Sequence, residues 1–345
     1  MERTSTQGPD EAPLRGQATM ADVGRLAQVS AMTVSRALRD PTLVSTETYS
    51  RILGAMEQLN YVPNKVAGSL RTQRSDLLAA IVPSLQNSLF SATLQGLSDG
   101  LEGTGLKLVV ASTAFGGQPA AALARELLAL RPCGLVIYEP LDDPQVLQAL
   151  ADSRTPVVTV GDLVAPTAGP VVSYSNRLAA KALTEHLLQR GRRRIGVIIL
   201  PLTRSARSAA RLAGYKEALR KFGQPYDPVL VEESEGGFAN AGQAFQKLLA
   251  RKPRIDAVIG MGDVFAAGAF LAAQRLGIAC PKEIAIASFD DSDLLTQLQP
   301  QVTALKLPRY EIGLEASRRI ASPERQEREP RKVDLGFSLL QRGST

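Results

Sequence analysis

The sequence predicts an α/β fold preceded by a small all-α segment, and three observations carry that prediction. From about residue 76 onward, apolar runs of strand length alternate with segments whose apolar residues recur at helical spacing. Residues 19–39 instead hold two short helical patterns around a tight turn, with a third helical pattern behind them. No apolar run reaches the ~18 to 20 residues that a membrane span needs. The 345 residues, 44% of them hydrophobic, are therefore expected to build two or three ordinary cores.

The all-α segment comes first. Thr19 is placed to N-cap a helix with Asp22 at its third position, and Ser30 to N-cap the next, each side-chain oxygen taking an orphan backbone N–H. Val23, Leu26 and Ala27 on the first helix and Val34, Ala37 and Leu38 on the second fall on one stripe each and are expected to be buried. Ala31, Met32, Ser35, Arg36 and Arg39 remain outward on the second helix. Ser45 opens a third helix, with Ile52, Met56 and Leu59 on one face. Two helices around a tight turn, the second carrying an outward arginine face, is the layout of a helix-turn-helix DNA reader. An amphipathic helical hairpin is the plain alternative.

Pro63 disfavours helical geometry at Val62 and ends the third helix. Lys65 to Leu70 then allow under two turns of helix, too short to persist alone, and Gly68 costs it about 1 kcal/mol relative to alanine. This piece is expected to order only against a partner. Residues 1–18 carry Pro, Gly, Thr, Gln and mixed charge without periodicity and are expected to be a disordered tail, with Met20 an alternative start. Residues 19–75 hold seven basic and four acidic side chains, half of the chain's +6 excess, as suits a module that faces phosphates.

In the α/β part, Leu77 to Val82, Leu106 to Ala111, Leu135 to Tyr138, Val157 to Val160, Ile195 to Leu200, Ala257 to Ile259 and Ile284 to Phe289 read as strands. Ala121 to Leu130, Leu178 to Gln189, Arg207 to Phe222 and Val264 to Leu276 read as helices between them. Such alternation signals parallel sheets covered on both faces, which bind ligands beyond the carboxyl ends of their strands. Those ends hold Ser84 to Ser88, Gly161-Asp162, Gly262-Asp263 and Asp290-Asp291, while Arg207 and Arg211 open a helix after another strand.

Catalysis is not indicated. The sole histidine, His186, lies in a helical pattern, and neither a Gly-x-Gly-x-x-Gly after a strand nor a P-loop occurs. Cys133 and Cys280, 147 positions apart and without a Cys-x-x-Cys, support neither a disulfide framework nor a zinc site. No cofactor or metal is expected. The Arg/Glu/Pro-bearing N-terminus has no signal-peptide core, so the expected compartment is the cytoplasm.

Asp22-Val23, Val29-Ser30, Thr33-Val34-Ser35-Arg36 and Tyr61-Val62-Pro63-Asn64 together resemble the LacI/GalR family of bacterial transcription regulators, and the resemblance runs from residue 19 to the C-terminus. Within the family the chain is most similar to the gluconate-operon repressor group. Ala31 to Pro41, Val82 to Asn87, Leu307-Pro308-Arg309 and Asp334 to Leu339 carry that closer likeness. Gly24 stands where the family usually has alanine, Gln28 at a turn position usually held by glycine, and Gly68 at a hinge position usually held by arginine or glutamine.

The resemblance implies a headpiece at residues 19–63, a hinge helix and linker at 64–75, and a periplasmic-binding-protein-like core at 76–345 that binds effector and dimerises. The core would consist of two doubly wound parallel-sheet lobes, one of residues 76–174 with 307–333, the other of 175–306 with 334–345. A homodimer on a palindromic operator follows, with Thr19, Ser30, Ala31, Met32, Thr33, Ser35, Arg36 and Arg39 at the DNA. Asn64, Ala67 and Leu70 would serve in the hinge, Leu70 as a wedge in the minor groove. The chain stops five residues after its last strand-like run, leaving no heptad helix for a tetramer.

Ser84, Asn87, Phe90, Asp162, Tyr174, Arg207, Arg211, Asp263 and Asp290 would line the effector site. By resemblance, Arg211 matches the arginine that holds sugar hydroxyls or a carboxylate, and Asp290 the aspartate that accepts from two hydroxyls. The plain alternative is that Arg211 pairs with Asp290. Gly262 replaces a common asparagine and Ser175 a common aspartate, which makes the pocket less acidic and favours an anionic ligand. A sugar acid such as gluconate or a ketogluconate is expected, released DNA being its effect. A neutral or phosphorylated sugar, or a sugar-binding protein without a regulatory role, is the alternative.

Overall fold

The structure, a computed structural model, describes residues 18–63, 74–85, 88–114, 119–139, 141, 143–163, 168–322 and 329–345. It divides into two units, Met1–Thr72 and Gln73–Thr345. The N-terminal tail through residue 17, the hinge positions Asn64, Ala67 and Leu70, and Asn87 lie outside the described residues.

The first unit is a three-helix headpiece of α1 (Met20–Leu26), α2 (Ala31–Arg39) and α3 (Thr46–Gln58). Its helix starts are fixed by side chains. Thr19 and Asp22 form a reciprocal capping box, Ser30 Oγ accepts from the Thr33 amide at 3.1 Å, and Ser45 Oγ accepts from Thr48 at 3.2 Å. Val23, Ala27, Val34, Ala37, Ile52 and Ala55 close the core. Leu26 is a correction to the stripe read from sequence: it ends α1 and is 46% exposed, while Ala27 just beyond the helix packs inward. In a helix of two turns the stripe has no room for a third large residue.

In the second unit, β1 (Leu77–Val82), β2 (Lys107–Ser112), β3 (Gly134–Ile137), β4 (Val157–Thr159), β5 (Val171–Ser173) and β11 (Lys332–Asp334) form one sheet in the order β11-β5-β4-β3-β1-β2, all parallel. A second sheet is built from β6 (Ile195–Ile199), β7 (Val231–Glu233), β8 (Ala257–Gly260), β9 (Ala285–Ser288), β10 (Thr303–Lys306) and β12 (Ser338–Leu340), ordered β12-β10-β9-β8-β6-β7. Only its edge strand β12 runs antiparallel. Strand order reverses beside β1 and again beside β6, so each sheet opens a crevice at its switch point. The chain passes between the sheets after Ser173, after Lys306 and after Asp334. The last passage corrects the boundary drawn at residue 333, because Asp334 still pairs with Ser173 in the first sheet.

Two helices of the first lobe, Ser88–Asp99 and Arg309–Ala321, approach each other closely enough that a β-carbon on Gly313 would lie 2.0 Å from the Thr93 carbonyl oxygen. In the second lobe the C-terminal residues act as a strap. Ser344, fully buried, accepts from the Thr303 amide at 2.8 Å and donates to the Ile286 carbonyl at 2.5 Å. Thr345 Oγ1 lies 2.8 Å from His186 Nε2.

Burial, with the Arg190 charge adding to it, holds the His186 imidazole below its ordinary value of 6.5. The folded chain therefore binds fewer protons here than the unfolded chain does. This contribution to stability is complete above pH 6.5 and is lost as the pH falls through the unfolded value. The urea midpoint is expected to drop more between pH 7.5 and 5.5 in the wild type than in His186→Gln. Equal drops would remove His186 from the account.

Candidate nucleic-acid interface and ligand cleft

The headpiece presents its surface through the second helix. Ala31, Met32, Ser35, Arg36 and Arg39 are exposed, Met32 at 68%, whereas Val34 and Ala37 on the opposite stripe are fully buried. Thr19, Ser30 and Thr33 frame that surface at the two helix N-termini. Among the described residues the Arg36 and Arg39 side chains have no ion-pair partner, so both guanidinium groups remain free to meet phosphate or a guanine edge.

The turn before this helix is held by Gln28 with φ of +58°. A side chain there is strained, since left-handed backbone disfavours a β-carbon. Gly24 eases the same turn from the other side: a β-carbon on it would come within 2.8 Å of the Val29 carbonyl oxygen. Gln28→Gly is expected to stabilise the headpiece by about 1 kcal/mol, the strain released less the entropy a glycine adds. A thermal or urea melt showing no gain would mean that the Gln28 side chain makes up for its backbone.

The cleft lies at the carboxyl ends of both sheets. Ser84 is buried just past β1, and Phe90 meets Tyr138 edge-on with centroids 4.9 Å apart. Tyr174, past β5, is buried 6.5 Å from the Phe289 ring. Asp162 Oδ1 accepts from the Leu163 and Asn176 amides at 2.9 and 3.0 Å. Arg207 donates to the Tyr138 carbonyl at 3.2 Å and lies 3.8 Å from Glu139, tying the second lobe to the first.

Arg211 stacks 3.9 Å over the Phe289 ring, with Nε on Asn176 Oδ1 at 2.8 Å and Nη1 on the Met261 carbonyl at 2.6 Å. It makes no bond to Asp290. That aspartate is taken by Arg309, whose Nε and Nη2 reach Oδ1 at 2.8 and 2.5 Å. Arg309 Nη2 also lies 3.4 Å from the Tyr174 hydroxyl. Burial opposes the Arg309 charge, but Asp290 outweighs it and holds the guanidinium above its ordinary value. For Arg211 burial dominates and lowers it. Asp263 is pushed above the usual carboxylate range, first by burial and then by the Asp290 charge. Asp290 Oδ2 and Asp263 Oδ1 are buried with no partner among the described residues.

Arg309 and Asn176 are functional candidates that reading for sites missed. Arg309 was visible only inside Leu307-Pro308-Arg309, 19 residues from its partner, and nothing in local spacing links the two. Asn176 opens a helix and stands in no motif that marks it.

The family comparisons agree with this geometry. The sequence model described as bacterial regulatory proteins, lacI family, matches residues 19–64. That of the periplasmic binding proteins and sugar binding domain of the LacI family matches residues 75–342. The chain belongs to the LacI family. Its similarity to the HTH-type transcriptional regulator GntR of Pseudomonas aeruginosa is 33% identity over 333 residues, 96% of each chain. A LacI-family transcriptional regulator from Silicibacter pomeroyi superposes with a TM-score of 0.85 at 31% identity, over 95% of this chain and 99% of its own. The lac repressor dimer bound to operator and the anti-inducer ONPF gives 0.79 at 25% identity, again over 95% and 99%. As a LacI-family member the chain is a DNA-binding transcriptional repressor, and its relatives are regulators rather than enzymes. Among the described residues no helix is long and apolar enough to cross a membrane.

Proposed function

We infer that this chain is a homodimeric repressor that holds a palindromic operator and is released from it by a sugar acid of the gluconate or ketogluconate type. The observation that carries the reading is the meeting of Arg207, Arg211 and Arg309 at the mouth of both sheets around Asp290, with Asp263 held toward its neutral form. Guanidinium forks suit a carboxylate, and the unpartnered aspartate oxygens suit hydroxyl donors. The sequence likeness to the gluconate-operon group supports the same ligand class. The effector acts by shifting the population between lobe arrangements that favour or disfavour operator binding.

On the DNA side, paired headpieces set Ala31, Met32, Ser35 and Arg36 against base edges, while Thr19, Ser30, Thr33 and Arg39 hold phosphates. Arg36→Ala is expected to weaken operator binding by roughly 1–3 kcal/mol at fixed salt. Sites selected from random DNA, followed by anisotropy titrations, give both the operator and this loss; unchanged affinity would contradict the docking. Gluconate and ketogluconates added to the complex should lower operator affinity. A panel of sugar acids that leaves it unmoved would overturn the effector assignment.

A further inference from the structure

The Asp290–Arg309 pair joins two lobes and two functions. Asp290 lies two residues past β9 in the second lobe and is 1% exposed; Arg309 opens the helix by which the chain has just returned to the first lobe. The pair is lopsided: both guanidinium contacts fall on Oδ1, and Oδ2 has no partner among the described residues although it is buried. Among the described residues no hydrogen bond falls on Arg309 Nη1 or Arg211 Nη2. The site thus offers two forks with a donor to spare on each and two carboxylates with an acceptor to spare on each, Asp290 and Asp263.

We propose that Arg309 is the residue that selects an acidic effector: it rests on Asp290 as an internal counter-ion and turns its spare donor, with that of Arg211, to the ligand's carboxylate. The ligand's hydroxyls go to Asp290 Oδ2 and Asp263 Oδ1. A neutral polyol supplies the hydroxyls but leaves both guanidinium donors unmet. Such a site discriminates strongly, because buried polar groups made for a partner are costly to leave without one. The raised Asp263 carboxyl fits the arrangement: burial and the Asp290 charge both resist a second full negative charge beside Asp290, which leaves room for an anion to face the arginines. This inference rests on the sugar-acid reading above.

The test is calorimetric titration of the full-length chain with potassium gluconate and with glucitol, the same polyol carrying a hydroxymethyl group in place of the carboxylate. The wild type should prefer gluconate by roughly 10- to 100-fold, the worth of a charge-assisted hydrogen bond. Arg309→Gln should bring the two affinities to within about threefold. Arg309→Lys should fall between, since it keeps the charge and loses the fork. The readout is the ratio of two ligands on one variant, so a reduced fraction of folded protein cancels out. Asp290→Asn should lower both affinities alike. A gluconate preference that survives in Arg309→Gln overturns the role of Arg309 and leaves the sugar-acid reading standing. A wild type that binds glucitol as well as gluconate, or binds neither, overturns both.

Discussion

Arg309→Ala is expected to destabilise the core by about 3–5 kcal/mol, the cost of breaking a buried ion pair from one side. The reason is Asp290, which is 1% exposed and receives two N–H groups from Arg309 at one oxygen and none at the other. Removal of the guanidinium leaves a carboxylate with no counter-ion in contact, and it must then take up a proton or draw water between the lobes. The pair need not be a net stabiliser for this to hold. Replacing both residues, as in Asp290→Asn with Arg309→Met, should cost less than the single change, because no charge is stranded. Urea unfolding of the three proteins separates the cases; a single-variant loss below about 1 kcal/mol would show that water already screens the pair.

Gly313→Ala is expected to cost about 3 kcal/mol, the upper end of the overpacking range, because the added carbon has nowhere to go. It would sit 2.0 Å from the Thr93 carbonyl oxygen and 2.7 Å from the Leu97 nitrogen, both backbone atoms of the facing helix. Gly96 makes the reciprocal approach, with a β-carbon 2.1 Å from the Tyr310 carbonyl oxygen. Neither neighbour can turn aside by changing rotamer, so the helices must separate along their whole contact. Gly54→Ala is the control: the same methyl group on α3 meets nothing within 4 Å. A melting temperature for Gly313→Ala equal to that of the wild type would mean that the two helices are not packed at this distance.

The sequence was readable where periodicity was long and uninterrupted. The strand expected at Leu77 to Val82 is found at those residues, and the helices at Leu178 to Gln189 and Val264 to Leu276 are found within two residues of their expected starts. Several strands of three or four residues were missed, among them Val171–Ser173, Val231–Glu233 and Thr303–Lys306, because so few side chains cannot establish a period; those of the same length that were legible, such as Val157–Thr159, stand in unbroken apolar runs. The caps at Thr19 and Ser30 were legible since each is settled within one turn. The Asp290–Arg309 bond was not: it is a product of the second passage between lobes, and no local pattern records which far residue a crossover delivers. Arg211 shows the complementary limit. The resemblance implies a ligand role for it, but only coordinates reveal that its bonds go to Asn176 and the Met261 carbonyl.

The three strands of chain that pass between the lobes have a consequence for leverage. Asn176 stands two residues beyond Tyr174 on the first passage, and Arg309 three residues beyond Lys306 on the second. The groups proposed to grip the effector are therefore mounted on the pivot itself rather than at the tips of the jaws. Rotation about a pivot moves each point in proportion to its distance from the axis, so a slight shift of these side chains becomes a wider swing at the amino end of β1, which the chain enters through Arg74 and Ser75. A small molecule with few atoms to push with gains most by pushing there.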